Sequence, residues 1–559
     1  GDLSNEILAN LNIMVTKNAE QVNVTGNPEA YEYYLKGQYK FEKRTSLEDL
    51  KIAQGLLEQA IKLDSNLVSA INLMATTYNY IDDYDKSEEI FNKAKEVSIR
   101  LNDMVAQATA IGGIAVVYYQ RGNLDGALDL MMQAKSIAEK AGDKGQVARN
   151  LNNISIIYSA RGDQQKALEV LQEMREIAES LGDKNRLFYA HQNLAYVYSA
   201  LGKNDLKMEH TLKAYELAKE IGDLNLQAAA LTNIAGDKLG SKQYEDALLE
   251  FNQILDIYDK LGENSRVVNT LHRIAVTYTY MHKDEDAVET CERALNLSKE
   301  LKNDPLIFHS YIMLGSAHNE LGNKSEGFKC LNKSKKISQN GSNQDNLGVV
   351  TGMIANHYQE TGDLDSAMHY IKESFKIHEK LGNKSQIQKN ISFMAGLDLQ
   401  KGDTELAMDQ LDQAMAIAKE IKDDMRYHFY HFGRGLIYFN QKDYAQAMDG
   451  NMSKWYEWYT ENEKDISLRD MSIYLVCLKK LGRDINLSQL EILMEETPER
   501  KYGYELNYRL YQLYDDRSYL KSSYEKIMDI KSKLDDKTGE KFINYPLESE
   551  IVKVYQSIS

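Results

Sequence analysis

The chain has 559 residues, a formal net charge of −17, four prolines and three cysteines. So acidic a balance excludes nucleic acid and anionic membrane surfaces as main ligands, because both attract basic faces; basic or mixed-charge proteins remain. With Ala, Leu, Glu, Lys and Gln abundant and proline confined to Pro28, Pro305, Pro498 and Pro546, nearly the whole chain can be helical.

Residues 1–26 read as the tail of an upstream domain or a linker. The chain begins at Gly1 rather than Met and is expected to be an excised piece. Residues 27–66 read as a short hairpin. One helix starts at Pro28 and runs through Phe41; a second starts at Ser46, turns Ala53, Leu57, Ala60 and Ile61 inward, and ends at Asp64.

From 67 to 460 the chain repeats every 40 residues in ten units. Gly122, Gly162, Gly202, Gly322, Gly362 and Gly402 share one register, which Asp82 opens and Lys242, His282 and Lys442 fill where glycine is missing. Around Gly162, Ile154, Ser155 and Tyr158 lie on one helical face. Gly162 breaks the helix and Asp163 caps the next, whose inner residues are Ala167, Leu168, Leu171, Met174 and Ile177. Seven before the turn residue stands a small one (Ala75, Ala115, Ser155, Ala195, Ala235, Ala275, Gly315, Ala355, Ala395, Gly435), which lets paired helices approach. Four before it a tyrosine recurs, from Tyr78 to Tyr438, and five after it a second small residue. Lys207 breaks the second small position; Lys238, His318 and Asp398 break the tyrosine position, with local repacking expected.

After 460 the register is lost, although Ile466–Leu481, Leu487–Glu496, Tyr502–Tyr514 and Tyr519–Leu534 keep helical periodicity. A solenoid must cover its last apolar face, so residues 461–559 are expected to form a non-repeat helical cap. Cys291, Cys330 and Cys477 give no paired spacing, which points to a reducing, cytoplasmic setting. No apolar run approaches the roughly 20 residues a membrane helix needs, and no leader is visible.

The small–Tyr–Gly–Ala spacing resembles the tetratricopeptide repeat (TPR) family, whose usual unit has 34 residues. The longer unit is similar to the variant seen in kinesin light chains, cell-polarity adaptors and bacterial signalling regulators. The resemblance implies an all-α, right-handed TPR superhelix, an α-solenoid of about eleven helical hairpins with a C-terminal helical cap. The stretch from Asn27 to Tyr39, and the tail Phe542-Ile-Asn-Tyr-Pro546, resemble junctions in bacterial proteins that join a TolB-like or class III nucleotide cyclase domain to such an array.

The resemblance also implies a ligand-facing stripe on the first helix of each hairpin. It falls on Arg149, Asn152 and Asn153; on Tyr189, Gln192, Asn193 and Tyr196; on Thr232 and Asn233; and on Asn269, His272 and Arg273. Asn153, Asn193 and Asn233 form a ladder suited to a peptide backbone, and Arg149 and Arg273 suit its carboxylates. The competing reading is that these asparagines bond within the array. Met313, Met353, Phe393 and Phe432 make the later stripe more apolar.

No phosphate-cradling loop, H-E-x-x-H or C-x-x-C occurs. His428 and His431 read as packing residues rather than metal ligands, and Trp455 and Trp458 as seals of the tenth unit. No enzyme activity, cofactor or metal is expected. The expected function is a protein–protein interaction scaffold that takes a peptide or partner domain in the concave groove. One alternative is a regulatory array of a larger signalling enzyme, acting through intramolecular contacts or a homodimer. Another is a scaffold with no defined ligand.

Overall fold

The computed structural model describes residues 27–44, 47–341, 343–462 and 464–558. The expectation for 1–26 lies outside them. The chain divides into two compact units, residues 1–257 and 258–559, with the division inside helix Tyr244–Leu261. It is all-α, a TPR-like solenoid. Eleven hairpins run in chain order from Pro28–Glu42 paired with Leu47–Leu63 to Asp424–Asn440 paired with a broken helix ending at Glu461.

In residues 1–257, each helix packs on its neighbours in sequence. First helices also touch the first helix of the next hairpin, as Met104–Gln120 does with Lys144–Ala160, and the latter with Lys184–Ala200. They form the tighter inner layer, so the array curves around them. The small positions explain this closeness: Ala75, Ala115 and Ala235 are wholly buried, and Ser155 nearly so. Ser87 donates its hydroxyl to the Ala75 carbonyl at 2.9 Å across one such contact.

The turns follow from backbone chemistry. Gly122, Gly162 and Gly202 adopt φ of +78°, +82° and +69°, and so do the residues that replace glycine, with Asp82 at +60° and Lys242 at +59°. The left-handed residue recurs midway as well, at Asn102 and Gly142, so it closes both connections of a unit. Asp143, Asp183 and Asp223 accept hydrogen bonds from the first-turn N–H groups of the helices they precede. Asp163 was expected to do the same. It occupies the N-cap position but caps nothing; its carboxylate turns back toward Arg161, 3.7 Å from Nε.

Two of the irregular positions are compensated by charge. Lys207 forms an ion pair with Asp237, and Lys238 reaches Glu250 at 2.8 Å. Where a small residue and a ring are lost, opposite charges from facing helices take their place.

In residues 258–559 the same hairpins continue to Asn440. The second helix of the last one breaks after Ala447. Gly450 at φ +67° inserts a wide turn before Ser453–Glu461. Trp455 is thereby fully buried against Phe432, ring centroids 4.5 Å apart, and Trp458 stacks on His428 at 4.9 Å. Both tryptophans lie in the last hairpin's packing. His431 is buried, and burial pushes its imidazole down to about 4.

The remaining helices do more than cover an end. Leu468–Lys480 and Tyr504–Tyr514 complete a core with Phe432, Trp455 and Met471. The chain then returns along the turns of earlier hairpins. Arg500 meets Asp284 at 2.5 Å, Lys501 meets Glu320 at 2.7 Å, and Lys541 meets Asp365 at 2.7 Å. Asp284 is fully buried under this crossing. At Gly362 a Cβ would lie 3.0 Å from both Ile530 and Phe542, so the crossing and a φ of +87° both demand glycine. Two short helices the periodicity did not reveal, Asp536–Ile543 and Pro546–Ile558, finish the chain. Among the described residues, no helix is long and apolar enough to cross a membrane.

Candidate functional site

The stripe expected from the repeat register falls on the inner helices, and in residues 1–257 it forms one face. Arg149 is exposed on helix Lys144–Ala160. Tyr189 and Tyr196, about two helical turns apart on Lys184–Ala200, expose 46% and 65% of their surface. Rings this open on an inner layer contribute little to the core. Arg149, Asn152 and Tyr189 line an open cavity of about 440 Å³, with Met174 as its floor and Arg186 and Asp183 beside it.

Asn193 donates from Nδ2 to Asn152 Oδ1 at 2.7 Å, joining two hairpins. Asn152 in turn approaches Asn153 at 3.5 Å. Asn193 is thus bonded to the neighbouring hairpin through Asn152, whereas the ladder position Asn233 is exposed. Asn152, Asn153 and Asn193 remain only half-buried, and an amide oxygen or nitrogen has capacity for more than one bond. Gln192 is half-buried beside them. Thr232 spends its hydroxyl on the Ala228 carbonyl of its own helix at 2.8 Å, whereas Asn233 is exposed.

The charges at this cavity are crowded. Arg186 forms an ion pair with Asp183. Desolvation, and then the like charge of Arg186, hold the Arg149 guanidinium below its usual value, with Asp143 opposing them. An anion arriving at Arg149 would relieve that repulsion.

Asn269, His272 and Arg273 belong to residues 258–559. Asn269 and Arg273 are exposed. His272 is tied to Ser310 at 2.9 Å, and burial pushes its imidazole down to about 4, so it stands neutral in an internal chain that continues to Ser298. The apolar later stripe is also engaged: Phe432 is buried on Trp455, while Met353 and Phe393 line a cavity of about 430 Å³. Among the described residues no three His, Cys, Asp or Glu groups gather as a metal would require.

Residues 106–180 and 308–340 match family profiles described as tetratricopeptide repeat. Those two stretches carry tetratricopeptide repeats. No curated protein matches it. Among solved structures it is similar to BtubC from P. vanneervenii, at 20% identity over 39% of this chain and 93% of that one, with a TM-score of 0.36. It is also similar to the apo form of RapI, at 13% identity over 64% and 99%, with a TM-score of 0.46. The apo form of the quorum sensor NprR from B. thuringiensis matches at 13% identity over 63% and 98%, with a TM-score of 0.42.

Two features were not read from the sequence, one with a weak signal and one with none. His191 stands where other units carry Leu151, Leu231 and Leu271, and it meets His210 with the two Nδ1 atoms 2.7 Å apart in the interior. Most units carry an apolar residue at that position, Ile71, Ile111 and Ile391 among them, but His431 shares the exchange, so the signal is weak. The docking of Arg500 on Asp284, 216 positions away, has no local signature.

Proposed function

We propose that the TPR array is a non-catalytic interaction scaffold that binds an extended peptide or a partner's segment on the inner face of helices Lys144–Ala160 and Lys184–Ala200. The observation that carries this reading is the open pair Tyr189 and Tyr196 on one helix, with the crowded Arg149 beside Tyr189. Exposed rings on a rigid helical layer provide contact area at little entropic cost, and Arg149 selects a carboxylate within the segment. The Asn152–Asn193 bond holds the face in one shape before the ligand arrives. Three buried free cysteines fit a reducing, cytoplasmic setting.

The 40-residue unit is the longer variant form of the repeat. The second reading, a regulatory array within a larger signalling enzyme, draws support from the C-terminal helices docked on Asp284, Glu320 and Asp365, because such a return contact is a means of intramolecular control. Homodimerisation belongs to that reading.

Peptide display against the purified chain, followed by anisotropy with the selected peptides, tests the scaffold. Tyr189→Ala with Tyr196→Ala is expected to weaken binding by about tenfold or more without changing the melting temperature. Failure to enrich any peptide, or equal binding by the double variant, contradicts the proposal.

A further inference from the structure

One connection in residues 1–257 breaks the usual chemistry of the repeat. Ile99, Leu101, Met104 and Val105 surround the end of helix Tyr84–Arg100 and the start of Met104–Gln120, and are 54%, 46%, 42% and 37% exposed. Ile99 stands where later units carry Glu139, Glu179 and Lys219, and Val105 where they carry Gly145, Asn185 and Asn225. Met104 replaces Lys144 and Lys184 of the next two units. Single exposed apolar side chains are ordinary, but four gathered at one turn mark a surface that something covers.

The described chain begins at the same edge. Asn27 donates from Nδ2 to the Leu63 carbonyl at 3.2 Å, and Arg100 donates to Asn66 Oδ1 at 2.6 Å. These two bonds tie residue 27 to the preceding connection, and that connection to the apolar one. Leu63 is exposed as well. In the sequence before residue 27, Leu3, Ile7, Leu11 and Met14, with Leu8 and Val15, recur at helical spacing. Asp2 and Glu6 are the only charged residues before Lys17. The cations beside the patch, Lys62 and Arg100, are exposed and pair with no carboxylate among the described residues. Reach is ample: neighbouring helices lie about 8–10 Å apart, whereas residues 16–26 can span up to about 36 Å.

We propose that residues 3–15 of this chain dock on the patch of Ile99, Leu101, Met104 and Val105, with Asp2 and Glu6 toward Lys62 and Arg100. The docked segment closes the edge of the array beside its first hairpin. This docking stands without the peptide face of helices Lys144–Ala160 and Lys184–Ala200.

Benzoylphenylalanine placed at Met104 of the full chain, irradiated at micromolar concentration and mapped by mass spectrometry, identifies the occupant. Cross-links to residues 3–15 within one chain are expected. Cross-links between two chains would make the occupant a second copy and overturn the proposal. So would the absence of any cross-link to residues 3–15, which leaves the patch to another protein. Hydrogen–deuterium exchange gives an independent reading. Ile99→Glu, Met104→Lys and Val105→Asn together install residues that other units carry at these exposed positions, so the hairpins and the helicity should persist. Exchange across residues 3–15 should then speed up by about tenfold or more. Unchanged exchange in the triple variant overturns the proposal.

Discussion

Lys302 and Lys422 hold backbone that most of the array gives to glycine, with φ of +51° and +58° on exposed turns. A Cβ there is strained against the following carbonyl. Lys302→Gly and Lys422→Gly should each stabilise the chain by roughly 0.5–1 kcal/mol, the relief exceeding the added freedom of the unfolded chain; thermal melting checks this. His191 and His210 make one contact in the array that responds to pH. At 2.7 Å, one Nδ1 carries the proton and the other accepts it, so doubly protonated rings cannot keep the contact. Burial, and then the His210 charge, push His191 down to about 4, below its unfolded value, and burial lowers His210 as well. The unfolded chain therefore binds more protons in acid. The stability is fully present above the unfolded value and is lost as pH falls toward about 4. Between pH 7 and pH 5, His191 alone should cost about 2 kcal/mol. Restoring the repeat's apolar residues with His191→Leu and His210→Val should flatten this limb relative to the parent, read by circular dichroism melts at both pH values.

At the scale of helices, the hairpins were legible because each one solves the same contact problem. Ala115 and Ala235 must be small where helices meet, Gly162 must turn, and Asp183 must cap, so each leaves its type in the sequence at fixed spacing. The register even located the left-handed turns where Lys242 and His282 stand in for glycine. Asp163 shows its limit: a residue can occupy the capping position and bond elsewhere. The break at Gly450 was hidden because one glycine in a helical pattern has many meanings. The stripe residues were placeable by register, but whether Asn152 stood free or bound Asn193 depended on side-chain direction, which spacing alone does not fix. The C-terminal crossing was illegible for a different reason: its pairs join distant segments, so no periodicity records them. It has a definite weak point. Asp284 is fully buried and relies on Arg500 and Lys501. Arg500→Ala with Lys501→Ala strands that carboxylate at a cost of up to roughly 3 kcal/mol, at the low end for a buried charge because Arg500 is half in water. Limited proteolysis should then cut near residue 497 sooner than in the parent, while the hairpins before it stay resistant.

For the molecule as a whole, the two units have different chemistry on their working surfaces. Residues 1–257 present open tyrosines, cross-linked amides and a crowded arginine. Residues 258–559 carry an array whose turns are taken up by the chain's own C-terminal helices, with a cavity between the two. The proposed function puts partner binding on the first unit. Hydrogen–deuterium exchange of the full chain, with and without a display-selected peptide, tests that assignment most directly. The account predicts new protection in Lys144–Ala160 and Lys184–Ala200. Protection confined to residues 258–559 would contradict it.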